Sequence, residues 1–250
     1  MTLPRAFLDR PIAHRALHNK AEGRPENSRE AVMAAVESGY GIEIDIQPSK
    51  DGVPMVFHDY ALTRLTGVQG PIAMRTAKEL GEMPLLNGQS GIPTLAEVLE
   101  IVAGQVPLLI EIKDQDGRMG PNVGPLERSI ADVLGTYSGP VAVMSFNPHS
   151  VAKMGELCPQ IPRGITTSAY TAQDWPTLPA EVRMHLKAIP DFDRTGACFI
   201  SHEAVDLESG DVANVKAKGA PILCWTIRSA EAEAKAREIA DNITFEGYQA

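Results

Sequence analysis

Long apolar runs are missing from this sequence: none approaches the length needed to cross a bilayer. The opening residues, Met1-Thr2-Leu3-Pro4-Arg5, lack the apolar core of a secretory leader, so a cytoplasmic protein is expected. Cysteine is scarce. Cys158, Cys198 and Cys224 are widely spaced, odd in number and without a CxxC pair, which excludes a disulfide framework and a structural zinc site. Cys198 and Cys224 lie in apolar runs and read as buried small hydrophobes. There is no excess of Lys and Arg: the formal charge is −9. That argues against nucleic acid as a partner and against stable association with an anionic membrane. It leaves room for a small anionic substrate, because a bound metal and local cations can invert the field of one site. No Gly-x-Gly-x-x-Gly follows the first strand, which speaks against dinucleotide binding. No repeat, low-complexity tract or linker divides the chain, so residues 1–250 are expected to form one domain.

What is present is a rhythm. Short apolar runs recur at Pro11–Ala13, Ile42–Ile46, Val53–Phe57, Pro107–Ile112, Val141–Met144, Ile161–Ile165, Ala197–Ile200, Pro221–Trp225 and Asn242–Phe245. Helical patterns separate most of them. Asn27 is a candidate N-cap for a helix that stops at Gly39. Thr94-Leu95-Ala96-Glu97 has the spacing of a capping box, for a helix running to about Ala103 and ending at Gly104. Ser229–Ile239, rich in Ala, Glu and Lys, reads as helix. Strand–helix alternation implies a parallel sheet with helices outside. If Val53–Phe57 is an extra segment after the second strand, eight strands remain, the count of a TIM (β/α)8 barrel, and the length of 250 suits one. An open doubly wound sheet is the alternative. The stretch from about Tyr60 to Gly91 breaks the rhythm and reads as an insertion after the second strand unit, either a lid over the site or a tolerated surface excursion.

Polar residues gather where strands end. His14-Arg15 follows Ile12-Ala13, Glu43 and Asp45 interrupt Ile42–Ile46, His58-Asp59 follows Val56-Phe57, and Glu111 and Lys113 flank Ile112. Alternation places Glu43 with Asp45, and Glu111 with Lys113, each pair on one face of its strand. In a barrel that face is the interior, and the C-terminal ends of the strands are where barrel enzymes keep their sites. Two like charges about 4 Å apart repel by about 4 kcal/mol at an effective dielectric near 20. Three carboxylates therefore call for a compensating cation. Hard oxygen donors suit Mg²⁺ or Ca²⁺ better than zinc. For any single pair of these charges the plainer reading is a structural salt bridge. The whole set, with two histidines at other strand ends, favours a site.

The segments His14-Arg15, Pro25-Glu26-Asn27-Ser28, Glu43-Ile44-Asp45 and Lys50-Asp51-Gly52-Val53-Pro54-Met55-Val56-Phe57-His58-Asp59 resemble the signature of the glycerophosphodiester phosphodiesterases. Glu111-Ile112-Lys113, Ser145-Phe146 and Trp225-Thr226 follow in the family's order. The resemblance implies a TIM barrel that hydrolyses glycerophosphodiesters to sn-glycerol 3-phosphate and an alcohol, with one divalent cation as cofactor. It implies that Glu43, Asp45 and Glu111 bind the metal and that His14 and His58 are the catalytic pair. Arg15 and Lys113 would contact the phosphate and assist catalysis, and Phe146 and Trp225 would line the substrate pocket. Glu26, Asn27 and Asp59 would support them. His18, His149, His185 and His202 match no family position and read as ordinary surface or loop residues. A lysophospholipase D-type enzyme, a noncatalytic barrel binding anionic metabolites, and an aldolase-type barrel with Lys113 as the Schiff-base lysine are the other readings. The sequence leaves a homo-oligomer open.

Some positions depart from the family pattern. Ala16 stands where glycine is usual after His-Arg, and Ser28 where threonine is common. Arg228 stands where asparagine is frequent after Trp-Thr-Val. The last strand ends Thr244-Phe245-Glu246-Gly247-Tyr248 instead of Thr-Asp-Tyr/Phe-Pro, so a short or missing last helix is expected.

Overall fold

Near-continuous apolar runs need burial on both faces of a strand, which helices on one side and a closed interior on the other provide. The computed structural model describes residues 1–250 and meets that demand with a closed barrel. The strands are β1 (Ile12–Ala13), β2 (Gly41–Pro48), β3 (Pro54–Val56), β4 (Leu108–Ile112), β5 (Val141–Ser145), β6 (Arg163–Thr167), β7 (Phe199–Glu203), β8 (Ile222–Ile227) and β9 (Asn242–Phe245). Eight of them are parallel, and β1 closes the ring by pairing with both β2 and β9. β3 is the extra one, antiparallel on β2 with Ile46 opposite Val56. The fold is thus the TIM barrel that the eight-fold rhythm implies.

The outward side chains of the strands, such as Ile42, Ile44, Ile110, Ile200 and Ile243, pack with the helices into the main core. The inward ones change character along the barrel axis. At the N-terminal end Ile12, Leu109, Ala142, Phe199 and Leu223 form a dry plug, closed from below by Leu3 and Phe7. Phe7 belongs to a short helix, Ala6–Asp9, ahead of β1. Buried Asn242 ties it down: its amide donates to the Phe7 and Arg10 carbonyls at 2.7 and 2.6 Å. Asn242→Ala leaves two carbonyls without their donor and is expected to cost on the order of 1–3 kcal/mol, read as a lower urea midpoint at unchanged slope. Toward the C-terminal end the inward positions become Glu43, Asp45 and Glu111, and there the barrel opens.

The helix ends show how local sequence sets the loops. Thr94 and Glu97 form the expected capping box, and the helix Leu95–Val102 ends on Ala103 in the left-handed region at φ 46°, one residue before Gly104. The helix Arg29–Ser38 ends on Gly39 at φ 71°, but its cap is Ser28, whose hydroxyl accepts from the Ala31 amide at 3.1 Å. Asn27 is not the cap. It sits at φ 58° with its amide directed at Asp45, so the capping position falls one residue later. The helix expected over Ser229–Ile239 covers Ala230–Ala236, with Ser229 as its cap. Cys224 is buried as expected, whereas Cys198 is only half-buried.

The insertion is built as well as bounded. Leu62, Leu65, Ile72, Leu80 and Leu85 pack with Met55, Phe57 and Ile92 into a small core of their own. Several short helical turns supply them, among them Thr63–Thr66 and Ala77–Gly81. No helix follows β9. Tyr248 instead folds back against Phe245, with ring centroids 5.5 Å apart, and donates its hydroxyl to Glu233 at 2.9 Å. No helix is long and apolar enough to cross a membrane.

Candidate active site

The C-terminal mouth of the barrel holds a cavity of about 660 Å³. Of the residues singled out from sequence, His14, Arg15, Glu43, Asp45, His58, Asp59, Glu111, Lys113, Phe146 and Trp225 all line it. Glu26 and Asn27 stand behind this lining.

Glu43, Asp45 and Glu111 project from β2 and β4, where Asp45 and Glu111 are register partners. One oxygen from each lies within 4.8 Å of the others, and all three are buried. Neighbours hold each in place. Glu43 accepts from the Arg15 amide at 2.9 Å. Asp45 accepts from Asn27 Nδ2 at 2.8 Å and faces Lys113 Nζ at 2.7 Å and Arg15 Nε at 3.6 Å. Lys113 also contacts Glu111, bridging the two carboxylates. Burial opposes the charge on Lys113, but Asp45 and Glu111 outweigh it and raise its pKa. Burial likewise opposes ionisation of Asp45, and Lys113, His58 and Arg15 overcome it, holding its carboxyl well below the usual range. Glu43 goes the other way: burial, Asp45 and Glu111 push it well above that range. Were all three carboxylates ionised, their charge would exceed what Lys113 and Arg15 balance, and that excess is part of what raises Glu43. An all-oxygen, charge-hungry donor set of this kind fits a hard divalent cation held by Glu43, Asp45 and Glu111.

Arg15 is aimed by the loop after β1. Its guanidinium meets Glu26 at 2.7 Å, and Glu26 is shared with Arg64 of the insertion at 2.7 Å. Arg15 and Ala16 both adopt left-handed backbone, at φ 52° and 63°. The family's usual glycine would adopt that conformation without strain; here Ala16 bears it, fixed by a hydrogen bond that its amide donates to the Glu43 carbonyl at 2.9 Å.

The two histidines are held alike. His58 Nδ1 lies 2.7 Å from Asp59 Oδ1, and His14 Nδ1 lies 2.6 Å from Glu246 Oε2. Burial opposes ionisation of Asp59, yet hydrogen bonds from His58 and Arg64 keep its carboxyl well below the usual range. Burial pushes His14 below its ordinary value, against the pull of Glu246. Two other histidines differ from the sequence reading. His202 is a fully buried residue of β7, with Nδ1 2.7 Å from Thr167 Oγ1 and Nε2 3.3 Å from Asp206. His18 is only a fifth exposed and lies 3.5 Å from Glu246, close behind His14. Both owe their burial to tertiary contacts that adjacent residues do not reveal. His149 is half-buried and His185 pairs with Asp191 on the surface.

Opposite the acidic cluster stands an aromatic wall. Phe146 packs edge-on against Trp225 at 5.6 Å and Trp175 at 4.9 Å. Both indole N–H groups are engaged, Trp225 with the Ser201 carbonyl and Trp175 with the Ser168 hydroxyl, each at 3.1 Å. Only ring surface remains for a ligand. Trp175, Tyr60 and Glu246 were not singled out from sequence. A Trp beyond a strand's C-terminal end, in Asp174-Trp175-Pro176, was the available signal for the first.

The chain is similar to several known proteins. YhdW of Bacillus subtilis is 29% identical over 234 residues, covering 90% of this chain and 88% of its own length. A glycerophosphodiester phosphodiesterase of Caldanaerobacter subterraneus is 29% identical over 174 residues, 66% of this chain and 69% of that protein. An Oleispira antarctica phosphodiesterase, solved with its product sn-glycerol-3-phosphate, superposes with a TM-score of 0.78 at 25% identity, over 96% of this chain and 94% of the other. The sequence profile of the glycerophosphoryl diester phosphodiesterase family matches residues 14–242, and the chain belongs to that family.

Proposed function

We propose that this protein hydrolyses glycerophosphodiesters to sn-glycerol 3-phosphate and an alcohol, with one divalent cation, Mg²⁺ or Ca²⁺, held by Glu43, Asp45 and Glu111. The observation that carries this reading is the meeting, in one cavity, of an undercompensated acidic trio with two histidines whose Nδ1 atoms are each held by a carboxylate. The bound cation would polarise a phosphoryl oxygen and lower the pKa of an attacking hydroxyl. The protein's own groups do the rest. Arg15 and Lys113 neutralise the phosphodiester monoanion. One of His14 and His58 takes the proton of the attacking hydroxyl through Nε2, and the other gives a proton to the departing alkoxide. Attack by the substrate's own glycerol hydroxyl, with a cyclic phosphate then opened by water, and direct attack by water call on the same residues. Phe146 and Trp225 offer an apolar wall to the carbon skeleton.

The decisive assay is release of sn-glycerol 3-phosphate from a panel of glycerophosphodiesters, with and without chelator. Release that stops with chelator and returns with Mg²⁺ or Ca²⁺ is expected; absence of release from every member of the panel, with either ion supplied, refutes the reading.

The insertion is proposed as the lid. Tyr60, its first residue, lines the cavity and donates its hydroxyl to the Asp114 carbonyl at 2.6 Å. Removing the whole segment would expose Met55 and Phe57, so a point change tests it better. Tyr60→Ala is expected to shift relative kcat/KM among glycerophosphodiesters by about tenfold with little change in Tm. An unchanged substrate profile contradicts the lid.

A further inference from the structure

Two positions at which the chain departs from its family's usual residues meet in space. Arg228, beyond the end of β8, places Nε and Nη2 each 2.8 Å from Oε1 of Glu246, just past β9. The strand ends bring them together, because the Glu246 amide donates to the Ile227 carbonyl at 3.0 Å. The other oxygen, Oε2, faces His14 Nδ1 at 2.6 Å and His18 Nε2 at 3.5 Å.

An ionised carboxylate can only accept hydrogen bonds. Glu246 is held ionised chiefly by its hydrogen bond with His14, with Arg228 on its other oxygen. His14 must therefore carry its proton on Nδ1, which leaves Nε2 as the ring nitrogen for a ligand. The cavity's other histidine is built the same way. His58 Nδ1 faces Asp59, and Asp59 is gripped by Arg64 Nε at 2.7 Å. Two chains of arginine, carboxylate and imidazole, distant from each other in sequence, thus flank one cavity.

We propose that Glu246 is the positioning residue of His14, fixing its tautomer and ring orientation, with Arg228 holding Glu246 in turn. This rests on the reading of His14 as a proton-transfer group. The arginine adds less than the carboxylate. Arg228 is 65% exposed at its side chain, and an exposed pair contributes little. The His14–Glu246 bond is sheltered, with side chains 14% and 20% exposed, so its geometry is well defined. A plain tie between two strand ends would give the same contacts but would act on stability alone.

A double-mutant cycle on the metal-supplied enzyme separates these accounts. Glu246→Ala should lower kcat by about tenfold to a hundredfold, with KM changed far less. Glu246→Asp should recover part of the loss. In the His14→Ala background, Glu246→Ala should cost nothing further, because its effect passes through that ring. Imidazole ¹⁵N and ¹H NMR should show the Nδ1–H tautomer of His14 in the parent protein and a mixture of tautomers in Glu246→Ala. Glu246→Gln, close in shape, provides the same comparison should the alanine variant not fold. Additive losses in the cycle, or an unchanged tautomer, overturn the proposal. So does a normal kcat in Glu246→Ala and Glu246→Gln while His14→Ala is impaired, an outcome that leaves the hydrolytic reading standing. Wild-type turnover in His14→Ala would remove the proton-transfer role itself, and this inference with it.

Discussion

Asp45→Asn and Glu111→Gln should each lower turnover on the order of 10²- to 10⁴-fold, the range expected when several kcal/mol of charge stabilisation from a metal site is lost. Chelation of the parent enzyme should reduce activity to background, and Mg²⁺ or Ca²⁺ should restore it. The same cluster predicts an inverse effect on the metal-free fold. Glu43 titrates well above its ordinary value, so the folded protein holds a proton that the unfolded chain releases. Its contribution to stability is present below about pH 4.5 and is lost as pH rises through the raised value. Asp45 has the opposite sign: its contribution is present above its ordinary pKa and is lost only in strong acid. The two losses fall in separate pH ranges, one above the ordinary carboxylate value and one below it. At neutral pH, Glu43→Gln should therefore leave the metal-free protein at least as stable as the parent, and should flatten its loss of stability above pH 5, while abolishing turnover. Calorimetry across pH, paired with the release assay, checks both. Full activity after exhaustive chelation, or a Glu43→Gln variant that is clearly less stable without metal, would contradict the assignment of these carboxylates to a cation.

Most of the barrel was legible because its forces are local or periodic. The nine strands fall where short apolar runs stand between capping and stop signals, and β3 was separable because Val53–Phe57 leaves too little chain for a helical crossover after β2. The acidic trio was legible for the same reason: Glu43 and Asp45 are two residues apart in a strand, and Glu111 and Lys113 repeat that spacing. Features that depend on long-range contact were not. The His14–Glu246 bond joins residues 232 positions apart, and no local pattern marks Glu246 as anything but a departure. Arg64 reaches Glu26 across 38 residues, so its role in aiming Arg15 stayed hidden inside the insertion. That segment is weakly periodic because its apolar residues come from helices of only a few residues, too short to show a period of 3.6. Asn27 reads as a cap from sequence, and Ser28 is the cap, for a related reason. Asn favours caps and left-handed backbone alike, and its bond to Asp45 decides between them.

His14→Ala and His58→Ala should each slow turnover on the order of 10²- to 10⁴-fold, because each removes a positioned proton donor or acceptor. The cavity gives the two rings parallel supports but unlike surroundings. His14 is the more enclosed, 14% exposed at its side chain beside Glu246, and burial holds its pKa down; His58 is 32% exposed and sits where the insertion begins. A depressed pKa leaves His14 neutral at pH 7 and able to accept a proton, which suits a base. His58, beside the start of the insertion, suits the acid that meets the departing alkoxide. The leaving group tests this division. An activated aryl ester of glycerol phosphate departs without help from an acid. His58→Ala should then recover most of its rate on that ester, and His14→Ala should stay slow. The pH–rate profile of the parent should be bell-shaped, with limbs that belong to the coupled pair. Rescue of His14→Ala instead would exchange the two roles. If both variants lose activity only in step with thermal stability, whatever the leaving group, the histidines hold loops and transfer no protons.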